Sequence, residues 1–151
     1  MAKSFTNFPN GITSMGVPVG GGNFGWKTAG DVWFVDGTNG SDGNSGRDPD
    51  NAFATIGKAV GTTTLVSGQA NAYDVVYVLD KGLSGTDPNP YQEADENLDV
   101  VYAKNNLAIV GVPHNIHQPY GIQIKGDATA LTTAVLTVHA PFCAIENLDF
   151  N

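Results

Sequence analysis

The sequence predicts an all-β protein assembled from many short strands, and three observations carry that reading. Val, Ile and Thr total 35 residues against 17 for Leu, Glu and Lys together, and β-branched side chains suit a pleated surface while losing rotamer freedom in helices. Turn formers recur throughout, with 19 Gly and 8 Pro in 151 residues. Beyond residue 74, short apolar runs alternate with Gly, Pro, Asn and Asp segments, the pattern of strands joined by turns. The length suits one domain with a core of its own.

Residues 1–30 form a distinct arm. Phe5-Thr6-Asn7-Phe8-Pro9-Asn10-Gly11 and Gly16-Val17-Pro18-Val19-Gly20-Gly21-Gly22 alternate apolar residues with Gly and Pro and show no helical period. The segment cannot build a core alone. It nevertheless carries Phe5, Phe8, Ile12, Met15, Val17, Phe24 and Trp26, more apolar anchors than a disordered tail would hold. An extended arm that docks these side chains onto another surface is one reading, and an arm folded back over its own domain is the other.

The domain proper, residues 31–151, opens on Asp31-Val32-Trp33-Phe34-Val35-Asp36, an apolar β-prone strand between turn residues. Gly37 to Asn51 follows as a long loop of turn formers. Ala52 to Val60 places Phe53, Ile56 and Val60 at i, i+3 and i+7, one apolar helical face with Asp50 or Asn51 as N-cap. Such a short helix after a strand and a loop is expected to act as a lid. Strands are then expected over Asp74 to Leu79, Leu98 to Tyr102, Leu107 to Gly111, Gly121 to Ile124, Ala134 to Val138 and Ala144 to Phe150. No exact sequence period accompanies them.

Phe34-Val35-Asp36, the Gly/Asn/Ser/Asp loop and Ala52-Phe53-Ala54-Thr55-Ile56 together resemble the opening of right-handed parallel β-helix proteins of the pectate-lyase-like type, an opening common in phage appendages. Val75-Val76-Tyr77-Val78 with Gly82, Tyr91 and Glu93 resembles the strand and Gly-x-Tyr-x-Glu of that group, interrupted here by Leu83 to Pro90. Asn106-Leu107-Ala108-Ile109-Val110-Gly111 and Ile145-Glu146-Asn147-Leu148-Asp149-Phe150-Asn151 look like successive rungs. The resemblance implies the start of a β-helix, about three rungs beginning near Asp74, capped by the helix at 52–60 and preceded by the extended arm. It further implies a homotrimer, by analogy with phage appendages. The segment ending at Asn151 has no capping helix, so the expectation is a body that continues in a longer protein.

The formal charge of −8 and pI near 4.4 exclude electrostatic attraction to nucleic acid or an anionic membrane, and no run approaches the roughly 18 apolar residues of a membrane span. The loop carboxylates and amides Asp36, Asp42, Asn44 and Asp48 are weak calcium candidates. Their spacing does not follow the EF-hand pattern, and Asx-turns account for the same residues more simply. Arg47, the only arginine, is expected to pair with Asp48 or to be solvated. A polysaccharide lyase or glycosidase needs converging carboxylates across several rungs, whereas Asp74, Asp80, Asp99, Glu146 and Asp149 are scattered. His114 and His117, even with His139, form no convincing metal set. Cys143, the single cysteine, reads as an inert buried thiol. No phosphate loop or nucleophile elbow is present, and no cofactor or catalytic residue is expected.

Two functions follow as expectations. The first is a non-enzymatic phage virion structural protein, a head decoration, fibre or tail appendage anchored through its arm to capsid or tail subunits. The second is the N-terminal part of a polysaccharide-degrading tailspike with its active site on later rungs. A carbohydrate-binding module that stacks a host surface glycan on Tyr73, Tyr91, Tyr102 or Tyr120 is a weaker third, since strand tyrosines are more often packing residues.

Overall fold

The computed structural model describes residues 12–14, 17–19, 30–63, 74–84, 87–92, 99–100, 106–113, 122–126, 135–140 and 143–150. Within the arm, β1 (Ile12–Ser14) and β2 (Val17–Val19) pair antiparallel, with Ile12 opposite Val19 and Ser14 opposite Val17. The chain therefore doubles back within the arm between these two triplets.

The body follows as β3 (Val32–Val35), a 3-10 turn (Pro49–Asn51), α1 (Ile56–Thr62), β4 (Val75–Leu79), β5 (Leu83–Ser84), β6 (Asp87–Pro88), β7 (Tyr91–Gln92), β8 (Asp99–Val100), β9 (Ala108–Val112), β10 (Ile122–Lys125), β11 (Thr137–Val138), β12 (Ala144–Glu146) and β13 (Leu148–Phe150). The protein is all-β with one α-helix among the described residues, and its sheets are parallel apart from the β1–β2 and β5–β6 pairs. The first sheet runs β3-β4-β9-β12, the second β7-β10-β13 and the third β8-β11. Each gains its strands in chain order.

Register explains the packing. Trp33, Val76, Ile109 and Ile145 align across the first sheet, as do Phe34, Tyr77, Val110 and Glu146 on the alternate positions. Trp33, Val35, Val76, Val78 and Ile109 join Tyr91, Ile122 and Ile124 in the main core. Phe34, Val75, Tyr77, Ala108 and Val110 are buried in a second cluster on the other face, with Phe34 and Tyr77 stacked at 5.8 Å between centroids. A sheet covered on both faces has no use for polar alternation, so its strands read as continuous apolar runs.

Several expectations shift. The parallel stack begins at β3 instead of near Asp74, because Val32–Val35 pairs in register with Val75–Val78, giving the first sheet four strands where about three layers were expected. The helix starts at Ile56, not Ala52. Phe53 instead bridges Val35 in parallel, donating its N–H to the Phe34 carbonyl at 2.9 Å and accepting from Asp36 N at 2.8 Å. The Asp42 carboxylate holds Ala54 N and Thr55 N at 2.9 and 3.0 Å, which keeps this stretch extended. Thr55, not Asp50 or Asn51, is the N-cap, accepting from Lys58 N. Asp48 caps the preceding 3-10 turn. The expected apolar face survives in part: Ile56, Ala59 and Val60 are buried against the main core, and Phe53 reaches the same core from the strand.

Candidate cleft at the ends of the stacked strands

The chain leaves β3, β4 and β9 on one side of the first sheet, and the residues that follow these strands line a cleft of about 280 Å³: Asp36, Thr38 and Asn39 after β3, Asp80 to Gly82 after β4, and Pro113 after β9. Leu79 and Val112 supply apolar wall. The placement follows from register, since Val35 sits opposite Val78 and Leu79 opposite Val112.

Both cleft carboxylates act on their own loops. Asp36 accepts from Thr38 N at 2.8 Å, from Asn39 N at 3.0 Å and from Asn39 Nδ2 at 3.1 Å. Asp80 accepts from Gly82 N at 2.9 Å, an Asx-turn completed by the left-handed φ of 77° at Gly82. Thr38 Oγ1 donates to the Lys81 carbonyl at 3.2 Å, and Lys81 Nζ donates to the Pro90 carbonyl at 3.2 Å while lying 5.1 Å from the Tyr91 ring centroid. Tyr91 ties the floor together. Its hydroxyl donates to the Leu79 carbonyl at 2.8 Å and accepts from Gly37 N at 3.0 Å. The charged groups of the cleft thus hold backbone.

The calcium candidates are distributed over separate tasks. Asp36 organises the turn after β3, Asp42 the residues before α1, and Asp48 the 3-10 turn, while Asn44 Nδ2 donates to the Ala52 carbonyl at 2.9 Å. Among the described residues, no three His, Cys, Asp or Glu side chains gather as a metal set. Arg47 pairs with Asp31 at 2.8 Å, not with Asp48, and its guanidinium lies 3.8 Å from the centroid of a Trp33 ring. This hydrogen-bonded pairing holds the Asp31 carboxyl below the usual carboxylate range and raises Arg47.

Ile12 and Val17 lie in the β1–β2 hairpin. Phe5, Phe8, Met15, Phe24 and Trp26 lie outside the described residues, as do His114, His117, Tyr73, Tyr102 and Tyr120. Tyr91 is buried, at 1% exposure, and so offers no platform to a sugar. Cys143 is half-buried, and burial pushes its thiol up. Asp74 is buried and accepts from Asp31 N at 2.8 Å. The Tyr91 bridge and the Arg47–Asp31–Trp33 group were not foreseen; the solitary arginine was the available signal for the second. Comparison of the chain with protein-family models, with curated proteins and with solved structures finds no match.

Proposed function

We propose that this chain is the attachment portion of a non-enzymatic structural appendage of a phage particle: a right-handed parallel β-helix with an N-terminal arm that fixes it to capsid or tail subunits. The observation that carries the β-helix is the order in which the chain visits its sheets. From β4 onward it passes through the first, second and third sheet (β4, β7, β8), repeats that order (β9, β10, β11), and starts again with β12 and β13. A chain that returns to each sheet once per circuit, always on the same side, winds a coil. Parallel connections of this kind are overwhelmingly right-handed.

The structural role draws on how the polar residues are used. The cleft and loop carboxylates are engaged in turns and caps, as in a scaffold. The phage assignment rests on the sequence resemblance of the strand, loop and Ala52–Ile56 segment, and the anchoring role on the apolar residues of the arm. The same resemblance carries the homotrimer. Deletion of residues 1–25 tests the reading: the truncated protein is expected to keep its β circular dichroism and to be lost from assembled particles. Normal incorporation would overturn the anchor.

A further inference from the structure

The outer face of the first sheet is buried by more than the sheet itself. Phe34, Tyr77 and Val110 align across it, with Val75 and Ala108 in the adjoining row. Val75 is 5%, Val110 6% and Tyr77 8% exposed, and burial raises the Tyr77 phenol above its ordinary value. Neighbours in the same sheet shield such side chains at their flanks, whereas their tips stay wet unless a second layer lies over them. The main core meets that need with α1, Tyr91 and β10. In the second cluster, every described member belongs to β3, β4, β9 or β12 except Ala52. One alanine is too small to cover a row of aromatic and β-branched side chains. A single copy buries the face, so its cover comes from elsewhere in the same chain.

Sequence and connectivity point to the stretch that enters β3. It reads Asn23-Phe24-Gly25-Trp26-Lys27-Thr28-Ala29-Gly30, and the chain bends at Gly30 just before the strand. Phe24 and Trp26 stand two apart, which puts both rings on one side of an extended backbone. Trp26 precedes Asp31 by five residues, a reach of about 16 Å at about 3.3 Å per residue. Tyr77 and Val110 lie one and two strands from β3, about 5 and 10 Å across the sheet, well within that reach. The rival stretch, residues 64–73, starts from α1, whose buried side chains face the main core on the opposite side of the sheet.

We propose that residues 24–29 fold back from the bend at Gly30 over the outer face of the first sheet of their own chain, laying Phe24 and Trp26 on Tyr77 and Val110. This goes beyond the anchor reading above. It seats the last two apolar residues of the arm on their own domain and leaves Phe5 to Val17 for a partner. It holds whether or not the chain is part of a phage particle.

Photocrosslinking of the purified full chain tests the contact without any particle, so failed incorporation and failed fold-back are separate results. With p-benzoylphenylalanine in place of Trp26, irradiation is expected to give a product of monomer mass crosslinked within residues 75–79 or 108–112, mapped by mass spectrometry after trypsin. The same probe at Tyr77 is expected to capture the peptide 4–27, which cleavage after Lys3 and Lys27 releases. If that probe disturbs the β circular dichroism, Val112, half-buried at the rim of the same cluster, carries it instead. Phe24→Ser with Trp26→Ser is expected to raise the binding of an apolar-surface dye several-fold and to lower Tm. Capture of residues 64–73 by the sheet probe, crosslinks confined to products of twice the chain mass, no crosslink from position 26, or unchanged dye binding and Tm in the double variant would each overturn the proposal.

Discussion

Removing the Tyr91 hydroxyl tests whether the cleft floor is held as described. In Tyr91→Phe the ring keeps its buried position, while the Leu79 carbonyl loses a donor at 2.8 Å and Gly37 N an acceptor at 3.0 Å. Each bond contributes about 1 kcal/mol net, so the pair is worth about 2 kcal/mol. For a chain of this size, that loss lowers Tm by about 4–8 °C. Tyr91→Ala also removes a fully buried ring from the main core and is expected to cost about 3–5 kcal/mol. Urea unfolding of the three proteins separates the contributions, since an unchanged m-value assigns the shift in midpoint to stability. If Tyr91→Phe unfolds within about 1 °C of the parent while Tyr91→Ala does not, the hydroxyl bridges nothing and the ring alone matters.

Other perturbations probe the helix, the stacking and the Arg47–Asp31 ion pair. Ile56, fully buried at the start of α1, is a site where replacement by Asp is expected to cost several kcal/mol, since the Asp must either bury a charge or take up a proton; an unchanged Tm would show that α1 does not cover the core. At Gly111 an added Cβ would meet the Asn147 carbonyl oxygen, with Ile122 Cγ1 2.9 Å away. Gly111→Ala is therefore expected to cost about 1–3 kcal/mol by overpacking, and a neutral effect on thermal unfolding would contradict the close approach of β9 to the β12–β13 corner. The Asp31 carboxyl is held below its ordinary 3.8 by Arg47, so its contribution is present above that pH and is lost as pH falls through the lower folded-state value. The pair is nearly half exposed, which limits the effect to about 1 kcal/mol or less. Asp31→Asn should accordingly differ from the parent in urea midpoint at neutral pH and converge with it at strongly acid pH; a gap that widens on acidification would reverse the sign of the argument.

The all-β class, the apolar strands at 75–79, 108–112 and 122–125 and the Asx-turn at Asp36 were legible in the sequence, because β-branched content, turn residues and local side chain-to-backbone bonds are properties of neighbouring residues. What was not legible depended on partners far along the chain. Phe53 was read as helical because its spacing to Ile56 and Val60 fits a helix, but the Asp42 carboxylate and the edge of β3 hold it extended. Arg47 found Asp31, 16 residues away, over the more adjacent Asp48 because β3 brings Trp33 and Asp31 to its guanidinium. Tyr91, readable from the sequence as a packing ring or, less readily, as a sugar platform, is put in the core by its register beside Ile124. Local chemistry thus determined which segments become strands and turns. Strand register, which the stacking of distant segments sets, decided which side chains meet.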